Sequence, residues 1–202
     1  MLHFETIEPA TLELLRSIQT IPELDQTRLV GGTSLALQLG HRKSVDLDFF
    51  GHMPYDTNAL LAMLKPLGEV IVLKDSTNIH IFLVNGIKVD FVNFDFAWRQ
   101  EALITEGLRL AQLEDIAAMK ITAVVGRGTK KDFIDVANLL KIYSLSQILR
   151  FYESKYPNAS AFMAMKSLLY FEDAEHDAMP VMIIPQTWKE VKTVVTEAVN
   201  GM

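Results

Sequence analysis

Two aspartates alternate with large apolar residues in Val45-Asp46-Leu47-Asp48-Phe49-Phe50. Residues two apart in a strand share a face, so the Asp46 and Asp48 carboxylates project together while Val45, Leu47 and Phe49 turn toward a core. Setting like charges side by side costs Coulomb and desolvation energy. A divalent cation between them removes much of that cost. Mg²⁺ suits the pair because it takes oxygen ligands and bridges carboxylates to substrate phosphates. Zn²⁺ fits less well, since the chain has no cysteine and no ordered histidine set accompanies the aspartates. The competing account is an edge strand with a wet acidic face, the better one for an isolated Asp-x-Asp. The apolar flanks and what stands upstream weigh against it here.

Upstream are Gly31 and Gly32, followed by a segment of helical composition. Glycines at a helix start allow close backbone approach to a phosphate. Thr33 or Ser34 could cap that helix or touch the phosphate. No Gly-Lys-Ser/Thr follows, so this is not a Walker A loop. A third carboxylate, Asp90, lies in Ile87-Lys88-Val89-Asp90-Phe91-Val92, another alternating run. If that strand lies beside the first, three carboxylates converge. Such a trio would hold two metal ions, align a hydroxyl for in-line attack on phosphorus and help remove its proton. Asp95 is a weaker candidate because it falls where a turn is expected.

These groups need a scaffold, and the hydrophobic pattern supplies one. Helices are expected over residues 8–18, 33–39 and 57–67, the last capped by Asp56 or Thr57. Strands are expected over 28–30, 45–49, 70–73, 79–84 and 87–94, with Asn85-Gly86 as a tight hairpin turn. Beyond residue 105 the pattern turns helical: 113–125, 131–142, 145–152, 159–171 and 185–199, the last with Trp188, Val191, Val195 and Val199 on one stripe. The expected class is α+β, with a small mixed sheet over residues 1–105 and a helical lobe over 106–202. The acidic run Glu172, Asp173, Glu175 and Asp177 reads as a solvated loop.

Composition sets bounds. The formal net charge is −6, which argues against a broadly basic nucleic-acid surface but leaves room for a local stripe of Arg28, Arg42, Lys43, Arg127, Lys130 and Lys131. With no cysteine there is no disulfide, no thiolate metal site and no cysteine nucleophile. No run approaches the ~20 apolar residues of a membrane span, and the N-terminus lacks signal-peptide character, so a cytoplasmic protein is expected.

The stretch GGTSLALQLGHRKSVDLDFF resembles the signature of DNA-polymerase-β-like nucleotidyltransferases. Its His41-Arg42, Ser44 and Asp46-Leu47-Asp48-Phe49-Phe50 resemble a narrower group, the AbiEii/AbiGii nucleotidyltransferase toxins of type IV toxin–antitoxin and abortive-infection systems. Further on, Asp115-Ile116-Ala117-Ala118-Met119-Lys120, then Arg127, Lys130-Lys131-Asp132 and Asp135, resemble that family's downstream motif. The resemblance spans residues 25–140. It implies that Gly31, Gly32 and Thr33 cradle phosphate, that Asp46 and Asp48 hold Mg²⁺, and that Asp90 matches the third, metal-site carboxylate of the broader superfamily. It also implies that Lys120 binds phosphate and that Asp135 is an active-site acid. A mixed sheet beside a helical lobe, with the site in a cleft, is the fold it implies.

Independently of the resemblance, Lys120 and Arg127 are seven apart, about two helical turns, and can share a face. Arg42 or Lys43 could neutralise the metal-strand carboxylates or touch nucleotide phosphate. For His41 a structural hydrogen bond is expected ahead of a general-base role. His52, His80 and His176 have no site-like spacing. A solvated helix face with ordinary salt bridges is the rival account of Asp132 and Asp135.

The expected activity is Mg²⁺-dependent transfer of a nucleoside monophosphate from a nucleoside triphosphate to a hydroxyl on tRNA, another RNA, a protein or a small molecule. A cognate antitoxin is an expected partner. Two other readings stand beside it: a small-molecule nucleotidyltransferase with a closed acidic pocket, and a non-catalytic nucleotide- or partner-binding module.

Overall fold

A computed structural model describes residues 1–53 and 55–202. The chain forms two compact units. The first contains Met1–Gln38, Lys43–Asp95 and Ala102–Ala111. The second contains Leu39–Arg42, Phe96–Glu101 and Gln112–Met202.

The first unit is built on a seven-stranded sheet. In chain order its elements are α1 (Pro9–Gln19), β1 (Thr27–Leu29), α2 (Gly31–Leu39), β2 (Leu47–Gly51), α3 (Thr57–Leu64), β3 (Val70–Asp75), β4 (Ile79–Val84), β5 (Ile87–Asn93), β6 (Leu103–Thr105) and β7 (Leu108–Leu110). The strand order is β3-β4-β5-β2-β1-β7-β6. Strands β2 and β5 run parallel, as do β1 and β7, and the other neighbours are antiparallel. The β4–β5 hairpin turns on Asn85 and Gly86, both at positive φ (49° and 82°), the geometry that an Asn-Gly pair tolerates best. Asp56 caps α3, its Oδ1 accepting from Ala59 N at 2.8 Å.

Alternation sorts the sheet's two faces. Leu47, Phe49, Val89, Phe91, Phe82 and Val84 are fully buried on one of them. Phe49 and Phe91 stack at 5.3 Å, and Phe82 meets Phe91 edge-on at 6.1 Å. Burial of three aromatic rings makes this face the main anchor of β2 and β5. The intervening residues Asp48 and Asp90 are thereby turned to the opposite face.

Two expectations need correction. Val45 is 54% exposed and lies outside β2, which begins at Leu47. The backbone just before β2 is satisfied elsewhere: Ser44 N donates to Thr6 O at 2.9 Å, and Thr33 Oγ1 donates to Asp46 O. With those groups taken, the ladder cannot start earlier. The second correction is the β6–β7 hairpin, which extends the sheet past residue 105. Three-residue strands are too short to show an alternation that sequence reading can use.

The second unit contains α4 (Leu113–Gly126), α5 (Lys130–Leu139), α6 (Leu145–Lys155), α7 (Ala161–Leu168), α8 (Glu172–Glu175) and α9 (Trp188–Asn200). Reciprocal capping boxes start three of these helices, at Thr129/Asp132, Ser144/Gln147 and Thr187/Glu190. Val191 and Val195 of the expected α9 stripe are fully buried. The segment Phe96–Glu101 is held by an internal charge. Lys155 Nζ, fully buried, donates to Asp115 Oδ1 at 2.6 Å and to Ala97 O at 3.0 Å, while Trp98 covers it at 4.5 Å.

The acidic run is solvated, with Glu172, Asp173, Glu175 and Asp177 all exposed, but Glu172–Glu175 forms a short helix and the run makes specific contacts. Asp177 Oδ2 accepts from Lys130 N at 2.9 Å, at the start of α5. Glu175 accepts from Trp188 Nε1 at 3.0 Å and from Lys192 Nζ at 2.5 Å, which ties α8 to α9. Among the described residues no helix is long and apolar enough to cross a membrane.

Candidate active site

In the first unit, the site begins with strand register. Asp48 and Asp90 are direct partners across the parallel β2–β5 pair. Their backbones are therefore about one strand spacing apart, ~4.8 Å, and their side chains share a face. Both are half-buried. Asp46 is half-buried too, but it precedes the strand instead of lying in it.

The glycine turn packs against this pair. Gly31 opens α2 at φ +67°, a conformation in which an L side chain is strained. A methyl group on it would collide with Asp48 Oδ2 and lie 3.1 Å from Cγ. Glycine is thus required twice, by backbone conformation and by the close approach of the carboxylate. Val30 N, just before it, donates to Asp48 O at 2.9 Å. Thr33 is buried, and its hydroxyl reaches Asp46 O and, at 2.9 Å, Ser44 Oγ. Its side chain therefore fixes the approach to the aspartates and is turned away from solvent.

The donor set can be tested against Mg²⁺. All the available ligands are oxygens, and the Gly31 backbone leaves a cradle beside Asp48 that any other side chain would fill. Mg²⁺ asks few ligands of a protein, because it keeps several waters and borrows phosphate oxygens. The Asp48–Asp90 pair fits that demand. The expected convergence of three carboxylates is not preformed: among the described residues no group of three or more His, Cys, Asp or Glu side chains is gathered tightly enough to hold a metal.

Asp90 has a neighbour that sequence reading gave no role. Lys88 Nζ lies 2.6 Å from both Oδ1 and Oδ2 of Asp90. The signal was there, since residues two apart on a strand share a face.

In the second unit, a compact charge network surrounds Asp135 and Asp132, both fully buried on α5. Arg42 holds Asp135 through two bonds of 2.8 Å, Nε to Oδ1 and Nη2 to Oδ2. His41 Nε2 meets the same Oδ1 at 2.8 Å, and Lys120 Nζ meets Oδ2 at 2.6 Å. Lys120 also donates to Asp132 at 3.1 Å. Arg127 Nε and Nη2 reach Asp132 at 2.9 and 3.2 Å, and Thr129 Oγ1 completes its shell at 2.7 Å.

Burial alone would drive these groups toward neutrality, and the partners reverse it. Burial pushes Asp135 up, but Lys120 and Arg42 hold it well below the usual carboxylate range. Burial pushes Asp132 up as well, and Lys120 and Arg127 bring it down to about 2. Lys120 loses less to burial than it gains from Asp135 and Asp132, so its ammonium is held above its ordinary value.

Four expectations meet this network. Asp132 and Asp135 are not on a solvated helix face, because paired cations let α5 bury that side too. Arg42 neutralises a carboxylate, but it is Asp135, and Arg42 is buried in doing so. Lys130 is likewise buried, its ammonium donating to Glu175 O at 3.1 Å and Asp177 O at 2.5 Å, so neither residue contributes to an exposed basic stripe. The structural hydrogen bond expected of His41 is present. The chain around it is pinned as Ile183 N and Ile184 N donate to His41 O at 3.0 and 3.1 Å.

Comparison with known proteins adds an independent line. Residues 13–192 match the family described as "Nucleotidyl transferase AbiEii toxin, Type IV TA system". An Aquifex aeolicus protein, "Uncharacterized protein aq_aa25", is 33% identical over 186 residues, covering 89% of each chain. Among solved structures, the nucleotidyltransferase toxin MenT4 of Mycobacterium tuberculosis superposes with a TM-score of 0.61 at 16% identity, over 95% of this chain and 84% of that one. JHP933 of Helicobacter pylori does so with a TM-score of 0.55 at 19% identity, over 96% and 94%. At these identities the two structural matches speak to the fold.

Proposed function

Because the chain belongs to the family of AbiEii nucleotidyl transferase toxins of type IV toxin–antitoxin systems, we propose that it transfers a nucleoside monophosphate from a nucleoside triphosphate to an acceptor hydroxyl, with Mg²⁺ held by Asp46, Asp48 and Asp90. The observation that carries this reading is the Asp48–Asp90 register pair with the Gly31 backbone pressed against Asp48.

In this reading Gly31 and Gly32 let the triphosphate approach the backbone at the start of α2. Thr33 holds the Asp46 backbone in place. Asp90 takes the proton of the acceptor hydroxyl. The acceptor oxygen bonds to the α-phosphorus, the bond from that phosphorus to the α–β bridging oxygen breaks, and pyrophosphate leaves with the electron pair. Bound Mg²⁺ would supply charge neutralisation along the triphosphate. Alignment and electrostatics carry the rate, without a covalent enzyme intermediate.

By the family resemblance, Lys120 is assigned to a phosphate oxygen. Arg127, with its side chain 66% exposed, is assigned the same kind of contact. Asp135 orients Lys120, Arg42 and His41 and is a positioning residue.

The test is to incubate the purified protein with Mg²⁺ and each α-³²P-labelled nucleoside triphosphate. Parallel reactions receive tRNA, total RNA, protein extract or small-molecule acceptors. Label should move to one pool, and that pool names the acceptor. No transfer to any pool, with triphosphate binding intact, would identify a non-catalytic module.

A further inference from the structure

Lys88 and Asp90 share a face of β5, and the ammonium spans both carboxylate oxygens at 2.6 Å. The lateral neighbours of Asp90 are Asp48 on β2 and Ile81 on β4, and Lys88 faces Leu83 on β4. On that side the direct β4 neighbours of Asp90 and Lys88 are aliphatic, and the next strand places Lys74 opposite Ile81. Asp90 is 17% exposed and Lys88 38%, so the carboxylate is largely enclosed while the lysine has solvent to retreat into. An ammonium seated on both oxygens occupies the positions that a divalent ion would use on the same carboxylate. The two cations exclude one another by contact and by charge.

We infer that Lys88 is a tethered monovalent cation that holds Asp90 in the metal-free site and sets, by competition, how much divalent metal the site requires. The inference rests on the reading of Asp48 and Asp90 as metal ligands. It adds a residue outside the carboxylate set that tunes metal demand. It also explains how two adjacent carboxylates are tolerated before metal arrives: one of them is already neutralised from the same strand.

Mn²⁺ binding to the full chain tests this without any turnover, by calorimetry and by the electron paramagnetic resonance of free Mn²⁺. The proteins are the parent, Lys88→Met, Lys88→Gln, Asp90→Asn, Lys88→Met/Asp90→Asn and Asp48→Asn. Circular dichroism checks that each is folded. Both Lys88 variants should bind Mn²⁺ several-fold more tightly than the parent, and the gain should vanish when Asp90→Asn is added. Unchanged or weaker binding in Lys88→Met and Lys88→Gln, with Asp48→Asn weakened, overturns the competition and leaves the metal site standing. Unchanged binding in Asp48→Asn overturns the metal site itself, as does absence of Mn²⁺ binding by the parent and both Lys88 variants.

Discussion

Asp48 and Asp90 stand opposite one another on parallel strands, while their neighbours Phe49 and Phe91 stack at 5.3 Å on the other side of the sheet. The aromatic pair fixes the spacing that the carboxylates must endure. A pair kept for stability would not be made of like charges. Asp48→Asn should therefore keep a cooperative thermal melt, while nucleotidyl transfer falls by about 10²-fold or more. Thermal melts and transfer rates on the same preparation check both. A lowered midpoint with activity retained would make Asp48 a structural residue.

Gly31 separates two kinds of glycine requirement. Gly31→Ala meets both a positive φ and the Asp48 carboxylate, whereas Gly86→Ala meets a positive φ with open space around it. The backbone penalty alone is about 1 kcal/mol. Gly86→Ala should show that loss in urea unfolding and keep full activity. Gly31→Ala should lose more stability and lose transfer as well.

The Asp135 network should behave as a unit. Asp135→Ala leaves Lys120 and Arg42 buried without their shared carboxylate, and removal of one partner from such a group costs about 3–5 kcal/mol. Lys120→Met should cost less, because Arg42 and His41 still hold Asp135 and Arg127 still holds Asp132. The double variant should cost less than the sum, because either single change already removes the Lys120–Asp135 pair, while Arg42 loses Asp135 in both variants that lack it. Denaturant midpoints for the three proteins measure the coupling, and additive losses would contradict the network.

Acid should unfold this protein through the same residues. Asp132 is held at about 2 against an ordinary 3.8, and Asp135 lies well below its ordinary value. A carboxyl lowered on folding adds stability above its unfolded pKa and gives it up as pH falls through the folded value. For Asp132 the contribution is about 2 kcal/mol, present at neutral pH and lost between about pH 4 and pH 2. Urea midpoints across that range should fall steeply in the parent. Asp132→Asn should start lower and fall less.

Much of this was legible in the sequence wherever a short period or a special residue carried it. Asn85-Gly86 marked its hairpin, and Asp56 its helix start, because both effects are local. The Gly31-Gly32 and Asp46-x-Asp48 spacing pointed to the β2 region, and alternation put Asp90 on a strand, whose pairing with β2 only the register shows. The start of β2 was missed because it depends on Thr6 and Thr33, which are distant in sequence or on another element. The burial of Asp132 and Asp135 was missed for the same reason. A charged helix face looks solvated until Arg42, from nearly a hundred residues upstream, is known to cover it. Lys88 was visible at its i, i+2 spacing from Asp90, and only its distance from both oxygens gave it meaning.

The central claim is that the α-phosphorus is the point of attack. Parallel reactions with α-labelled and γ-labelled nucleoside triphosphate, in the acceptor pool that takes label, test it most directly. The account predicts that α-label enters the acceptor, that γ-label appears only in pyrophosphate, and that both signals disappear in Asp48→Asn folded like the parent. Entry of γ-label into the acceptor, or undiminished α-transfer by Asp48→Asn, would contradict it.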